Sequence, residues 1–467
     1  QNFKCYIIDM PGTKEKLRYH FVGIGGIGMS ALAQIINSQG HFVSGSDRRN
    51  DNKQTPEIFH KLESQGIKLY PQDGTGVESN MDFIVISSAV EEDNPDLKIA
   101  TQKRIQSIKR SELLGNLFNN KYGIAIGGSN GKTTVCGMAS WILDRAGHDP
   151  TVIGGGYVKN YITDTFLGNA RFGFSEKVVI EADESDGSLI NYMPKVSVIT
   201  DLSKDHKTVD ELGGLFSRFA ENTSGTVIIN ESCFRFIRIK GKHKEVIRYG
   251  ESSEADVRVS QISCNPCGSR FEMQGKNFEI NIPGLYNVFN ALAAIAVAQT
   301  EGVTDKEINK ALRSFKGTKR RMEVVGEKNG IKVIDDYAHN PRKIQAAIDA
   351  ARLSCERLIV VFQPHGYGPT EFLRDDFISA FAGKLLPADT LYMPEIFYAG
   401  GTANKRISSK EIVKELKDKG INAFFIPERQ DIITEIKQRA IPDDGILVMG
   451  ARDDSLTDLC HAILNRL

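Results

Sequence analysis

YGIAIGGSNGKTTVCGMASWILDR, residues 122–145, is the stretch whose reading decides the fold. Tyr122-Gly-Ile-Ala-Ile126 is a short apolar run of the kind a buried parallel strand uses. A glycine loop follows at once, then a helical pattern to about Arg145. Strand, glycine turn and helix in that order are the repeating unit of α/β folds. The full phosphate-loop pattern wants a glycine five residues before Gly131, and Ile126 stands there. The shorter form GxxGKTT keeps the chemistry. Backbone N–H groups of Gly128, Ser129, Asn130 and Gly131 can cradle phosphates, Lys132 meets their charge, the hydroxyl of Thr133 suits a hard cation, and Thr134 completes the nucleotide-binding loop. The plainer reading is a helix start with a solvated lysine.

Upstream, Tyr19-His-Phe-Val22 reads as a strand, followed by Gly23-Ile-Gly25-Gly26-Ile27-Gly28 and a helix through Met29–Ser38. Such a turn lets backbone approach a diphosphate at a helix start. Ser46 and Asp47 follow the second strand, and Asp47 lies 24 residues past Gly23, where a ribose-binding carboxylate is expected. Alone this suggests NAD, although UDP-sugars and flavins use similar turns. Downstream, Glu181-Ala-Asp-Glu-Ser-Asp186 follows the strand Val178-Val-Ile180. Carboxylates at a strand's end near a phosphate loop suit a hard cation. Asp205-His206 follows another strand, and by itself that histidine reads as incidental.

Residues 256–282 alternate like antiparallel hairpins, an Ala-rich helix covers 288–299, and strands alternate with helices again from Val333 to the carboxyl-terminus. The expected architecture is α/β in three domains. These are a Rossmann-like domain over 1–118, a central phosphate-loop domain with a mixed sheet over 119–317, and a second Rossmann-like domain over 318–467. Lys+Arg and Asp+Glu are both 59 in 467 residues, so no charge excess argues for nucleic acid or an anionic membrane as partner. A composition 40% hydrophobic and 25% charged is that of an ordinary globular chain, and no apolar run reaches the roughly 18 residues of a membrane helix. Seven scattered cysteines fit a reducing cytoplasm, and Cys264-Asn-Pro-Cys267 reads as a turn, not a zinc site. Asp9, Lys14 and Glu15 do not read as a secretory signal.

Taken together, the motifs resemble the Mur ligase family, in its alanine-adding branch. The resemblance rests on FVGIGGIGMSALA at 21–33, ISSAVEEDNP at 86–95, GSNGKTT at 128–134 and EADESD at 181–186. It continues in IPGLYNVFNALAA at 282–294, FKGTKRRME at 315–323, DDYAHNP at 335–341 and FQPH at 362–365. It implies an ATP-dependent ligase of peptidoglycan precursor synthesis. The carboxylate of UDP-N-acetylmuramate becomes an acyl phosphate, and the amine of an amino acid, L-alanine foremost, displaces the phosphate.

By motif position, the resemblance implies that the turn Gly23–Gly28 (Ile27 included) holds the UDP-sugar, with Ser46, Asp47, Ser87 and Ser88 nearby. Lys132 would hold the γ-phosphate; Thr133, Glu181 and His206 would surround Mg²⁺ or Mn²⁺; Asn287 and Asn290 would face adenine. Arg321 would reach the ATP phosphates, Asp336 would help to hold the nucleotide, and Tyr337, His339 and His365 would line the amino-acid end.

The departures gather at that end. The alanine-adding pattern QPHRYTRT stands here as QPHGYGPT, so Gly366 and Pro369 replace two arginines that help to bind carboxylate in the family. Ser129, Tyr286, Met322, Ala338 and Asn340 are milder changes. The pattern also suits a divergent paralogue that uses another amino acid, peptide or carboxylate. Readings of other classes are an NAD-dependent oxidoreductase, which leaves Lys132 and Glu181 without a role, and a non-catalytic nucleotide-binding regulator.

Overall fold

The computed structural model describes residues 16–54, 56–185, 187–203, 208–241, 245–398 and 406–467. The charged amino-terminal residues, Asp186 and His206 lie outside them. Among the described residues there are three sheets, and the fold is α/β as expected. The first sheet is all parallel, in the order Lys68–Tyr70, Phe42–Ser46, Arg18–Val22, Phe83–Ile86, Gln106–Lys109. This is a doubly wound order, and it reverses between Arg18–Val22 and Phe83–Ile86. Ligands bind outside the carboxyl ends of strands at such a point.

The central sheet places Tyr122–Gly127 between Val196–Ile199 and Lys177–Glu181, all parallel. Thr226–Asn230 and Glu245–Gly250 extend one side; Thr151–Ile153 and the antiparallel Ala170–Arg171 extend the other. The described residues of 16–202, 209–258 and 292–311 form one compact unit, so the first sheet and the parallel part of the central sheet share it. The physical reason is a shared apolar core with polar ties through it. Leu113, Leu117 and Phe118 of the helix Arg110–Phe118 belong to the same buried cluster as Leu189 and Tyr192. The Phe118 ring meets Tyr192 edge-on at 5.8 Å. Asn169 donates to Ile27 O at 2.8 Å and accepts from Gln34 Nε2 at 2.9 Å, which pins the first helix to the strand pair beyond it.

Among the described residues the other unit comprises 259–291 and 312–467. It holds the antiparallel ladder of Val257–Asn265 with Gly268–Met273 and Lys276–Ile280. Cys264-Asn-Pro-Cys267 turns between the first two, with Asn265 opposite Gly268, as the sequence implied. The third sheet runs Glu323–Lys328, Ile331–Asp336, Asp444–Gly450, Arg357–Gln363, Thr390–Met393, Ala423–Phe425, parallel except for the first pair. Its strand Arg357–Gln363 is apolar on both faces. Leu358, Val360 and Phe362 enter one core cluster and Ile359 and Val361 another, the alternation a strand covered on both sides requires.

Candidate active site

The phosphate loop leaves the strand Tyr122–Gly127 and enters the helix Lys132–Arg145. Gly131 has φ 85°, a conformation open to glycine at little cost. Gly128 is forced for a second reason: a Cβ there would lie 2.1 Å from Thr200 Oγ1. The loop is buttressed from the strand end at Thr200 and Asp201. Ser129 N donates to Asp201 O at 2.8 Å, the Asn130 amide donates to the Asp201 carboxylate, and the Thr200 hydroxyl donates to Asn130 O.

Lys132 Nζ donates to Gly128 O at 2.7 Å and to Glu184 Oε2 at 2.7 Å. Burial alone would lower the pKa of this ammonium, but Glu184, Asp183 and Glu181 outweigh that and hold it above its ordinary value. Asp183 answers in kind. Burial would raise it, but Lys132, the Ser185 N–H and hydroxyl, and Arg110 hold it below the carboxylate range. Glu184 is lifted by burial despite Lys132. Glu181 accepts from Gly155 N at 3.0 Å, an approach that only a glycine permits, since a Cβ would fall 2.5 Å from the carboxyl carbon.

The acid loop thus gathers carboxylates on one lysine beside the hydroxyl of Thr133. An oxygen set with excess negative charge is the chemistry a magnesium ion takes. Among the described residues no three His, Cys, Asp or Glu side chains form a metal cluster by themselves. A bound cation would therefore draw on Thr133, Glu181 and phosphate oxygens.

The glycine turn of the first sheet is built by its neighbours. Gly23 N and Ile24 N both donate to Ser46 O, at 2.8 and 3.0 Å. The Ser46 hydroxyl donates to buried Asp96. Asp47 accepts from Gly25 N at 2.9 Å and from Arg49 N at 2.9 Å. Its carboxylate thereby holds the turn. Ser87 and Ser88 line a cavity of about 240 Å³ with Lys109, Arg110 and Ser188.

In the other unit, the carboxyl ends of the third sheet gather the remaining residues. Arg320 is buried on Asp335 (3.2 Å), Gly450 O (2.9 Å) and Asp453 O (3.0 Å). Asp336 accepts from Met322 N at 2.7 Å and from Ala338 N at 2.8 Å. Burial raises its pKa, with Arg321 opposing. The guanidinium of Arg321 lies over the Tyr337 ring, 4.9 Å from its centre. His339 Nδ1 is 2.8 Å from Tyr337 O, its Nε2 is 3.4 Å from Lys343 Nζ, and its ring meets that of His365 at 5.4 Å.

The structure therefore brings Tyr337, His339 and His365 together, and adds Lys343. Asn287 and Asn290 are buried, with Asn290 Nδ2 donating to Asn287 Oδ1 at 3.1 Å. Gly366 has φ 71°, and a Cβ there would meet Pro369 Cδ at 3.3 Å. The two departures from the arginine pattern are thus one local turn. Sequence reasoning passed over Asp201 and Thr200, whose only mark was their position at a strand end, and it noted Arg110 without placing it.

Residues 18–122 match the model described as Mur ligase family, catalytic domain; 126–298 match Mur ligase middle domain; 320–452 match Mur ligase, glutamate ligase domain. A protein of Agrobacterium fabrum named UDP-N-acetylmuramate–L-alanine ligase is 35% identical over 453 residues, covering 92% of this chain and 93% of its own. The chain belongs to the Mur ligase family. A second protein of that name, from Solibacter usitatus, is 37% identical to this Mur ligase, covering 99% of this chain and 98% of its own. A solved UDP-N-acetylmuramate-alanine ligase of Thermotoga maritima superposes with a TM-score of 0.78 at 26% identity, covering 96% and 99% of the two chains. A murein peptide ligase of Psychrobacter arcticus shares the fold, with a TM-score of 0.71 at 24% identity over 96% and 98%. No helix among the described residues is long and apolar enough to cross a membrane.

Proposed function

We propose that this Mur ligase joins the carboxylate of UDP-N-acetylmuramate to the amine of L-alanine, driven by ATP cleavage, in the cytoplasm and in peptidoglycan precursor synthesis. The observation that carries the reading is the likeness to L-alanine ligases over 92% of the chain. In this scheme the muramoyl carboxylate takes the γ-phosphoryl group of ATP to become an acyl phosphate. The amine then attacks the acyl carbon and phosphate leaves.

Two anions must meet in the first half, so the site's task is to neutralise charge. Lys132 supplies an ammonium already fixed by Gly128 O, and incoming phosphate replaces Glu184 as its partner. Backbone N–H groups of Gly128–Gly131 cradle the phosphates. Thr133 and Glu181, with His206 as the sequence motif suggests, would hold Mg²⁺, which supplies Lewis-acid stabilisation of phosphoryl oxygens when bound. Asn287 and Asn290 would face adenine. Arg321 would serve the phosphates, and Asp336 would act on the nucleotide by fixing the backbone at Met322 and Ala338. Ser46 and Asp47 would act on the UDP-sugar through the turn they hold.

At the amine end, His339 and His365, whose rings meet at 5.4 Å, would be the candidate bases for an incoming ammonium, with Lys343 beside His339. A second reading, in which another amine replaces L-alanine, is favoured by the Gly366–Pro369 turn. Its left-handed glycine disfavours an arginine at that position.

The test is phosphate release from ATP and Mg²⁺ with UDP-N-acetylmuramate, screened over L-alanine, glycine, L-serine and a short peptide. Turnover that depends on L-alanine supports the proposal. Turnover with a different amine alone transfers it to the second reading. No turnover with any amine, while UDP-N-acetylmuramate still binds, refutes both.

A further inference from the structure

The strand Asp444–Gly450 lies between Ile331–Asp336 and Arg357–Gln363 in the third sheet, parallel to both. The three end flush, with Asp336 opposite Met449 and Gln363 opposite Gly450. Neighbouring strands run about 4.8 Å apart. The chain leaving Gly450 therefore emerges between the segment that carries Tyr337 and His339 and the one that carries His365. Arg452 stands there, and the reaction scheme gives it no part.

Its backbone is left-handed, with φ 61°, a region that a residue with a Cβ adopts at a cost. The neighbours hold it there. The Arg452 N–H donates to the Tyr337 hydroxyl at 3.1 Å. On either side, Arg320 donates to Gly450 O at 2.9 Å and to Asp453 O at 3.0 Å. The Asp453 carboxylate accepts from Arg429 and from Ser455 N at 3.1 Å. Glycine fits such a turn without strain. A strained residue fixed from several sides points to a task for the side chain it presents.

The Arg452 side chain is exposed, and among the described residues no ion pair or hydrogen bond engages its guanidinium. Other cations of this edge are engaged. Arg320 holds Asp335, Arg429 holds Gln363 Oε1 and Asp453, and Lys343 lies beside His339. The turn Gly366-Tyr-Gly-Pro369 supplies no cation. The candidate bases are close by. The Tyr337 ring meets that of His339 at 5.7 Å, and His339 meets His365 at 5.4 Å. An α-amino acid carries its ammonium and its carboxylate on the same carbon. An anchor for the carboxylate must then stand beside the group that takes the ammonium's proton, and a guanidinium fork matches the two carboxylate oxygens.

We propose that Arg452 binds the α-carboxylate of the incoming amino acid, and so confines the second substrate to amino acids whose α-carboxylate is free. Single amino acids are then favoured over peptides, whose free carboxylate lies at least one residue further from the amine. The inference rests on the reading that an amino acid delivers its amine to His339 and His365.

The experiment compares full-length wild type, Arg452→Gly and Arg452→Lys in phosphate release with ATP, Mg²⁺ and UDP-N-acetylmuramate. The amines are L-alanine and L-alaninamide, which lacks the carboxylate. Where wild type uses another amino acid, that acid and its amide take their places. Wild type should prefer L-alanine by at least ~10-fold in kcat/KM. In Arg452→Gly the KM for L-alanine should rise roughly 10–100-fold, with kcat changed less, and the preference over the amide should collapse. KM for ATP and for UDP-N-acetylmuramate should stay within about two-fold. The urea midpoint should not fall, because glycine relieves the left-handed strain. Arg452→Lys should recover part of the preference, since it keeps the charge without the fork.

An unchanged KM for L-alanine in Arg452→Gly overturns the assignment. A loss that is equal for L-alanine and its amide makes the residue structural and also overturns it. A rise confined to the KM for ATP puts Arg452 on phosphate and overturns the carboxylate role. Wild-type turnover with a peptide alone overturns the inference and leaves a ligase. A wild type that turns over with no amine overturns the parent reading, and this inference with it.

Discussion

Lys132→Ala tests the chemistry most directly. The ammonium is fixed before any ligand arrives, by Gly128 O and Glu184 Oε2 at 2.7 Å each. In the proposed scheme phosphate would exchange with Glu184, while the Gly128 contact would keep the ammonium in place. A preorganised donor of this kind is worth about 2.7–4 kcal/mol at developing charge, or roughly 10²–10³ in rate. Removing it has a second cost. Glu181, Asp183 and Glu184 then face an incoming polyanion with no lysine between, and like charges near a protein surface repel by about 4 kcal/mol at 4 Å. Since nearby solvent and a bound cation offset part of that, the expected fall in kcat/KM is at least ~10³-fold.

The assay is phosphate release with UDP-N-acetylmuramate and L-alanine. Affinity for UDP-N-acetylmuramate should stay within about two-fold, because the glycine turn does not use this lysine. Lys132→Arg keeps the charge but not the compact point geometry that Gly128 O selects, so it should also turn over poorly. A folded Lys132→Ala protein that keeps more than about a tenth of wild-type turnover refutes the reasoning, since one such donor accounts for at least a hundred-fold.

Three further outcomes follow from particular contacts. Asp96 accepts from Ser46 and from Gly74 N (2.8 Å) and lies 3.5 Å from His20 Nε2; burial would raise its pKa, but these partners hold it below the ordinary range. A depressed carboxylate stabilises the fold above its unfolded pKa of about 4, and that stability is lost as pH falls through the folded value. Asp96→Asn should therefore cost more at pH 7, about 2 kcal/mol by urea titration, than at pH 3. Asp336→Asn turns an acceptor of two backbone N–H groups into a partial donor against them, and should lower stability by about 2–3 kcal/mol in the same titration. Gly366→Ala puts a Cβ on a left-handed residue 3.3 Å from Pro369 Cδ and should cost about 1–2 kcal/mol, read as a shift in the urea midpoint.

What the sequence made legible follows locality. The phosphate loop needs only contiguous residues, and its strand, glycine turn and helix stand where the pattern put them. The same holds for the Cys264–Cys267 turn, whose flanking alternation is itself the hairpin. Asp47 was less legible. A carboxylate after the second strand can face a ligand or the turn beside it, and period and spacing are identical in the two cases. In the structure Asp47 accepts from Gly25 N at 2.9 Å and so holds the turn. Gly366 and Pro369 read as two lost arginines, but they are one backbone solution. A left-handed residue and the proline three positions on shape the same turn, and only coordinates reveal a coupling that sequence shows as separate substitutions.

Arg110 is the instructive omission, because a usable signal existed. In a parallel doubly wound sheet every strand delivers its carboxyl end to the same edge, so Lys109, which ends the fifth strand, and Arg110, which opens the next helix, had to arrive on the edge that carries the glycine turn. Its position in sequence, more than eighty residues after Gly28, concealed this. Strand order converts that distance into contact: Gln106–Lys109 pairs with Phe83–Ile86, which pairs with Arg18–Val22, whose end is the turn. A residue that terminates a strand in such a sheet is therefore better judged by its place along the shared edge than by its neighbours in the chain. By that criterion a basic pair at the fifth strand's end shares the edge that carries the glycine turn, even though no motif includes it.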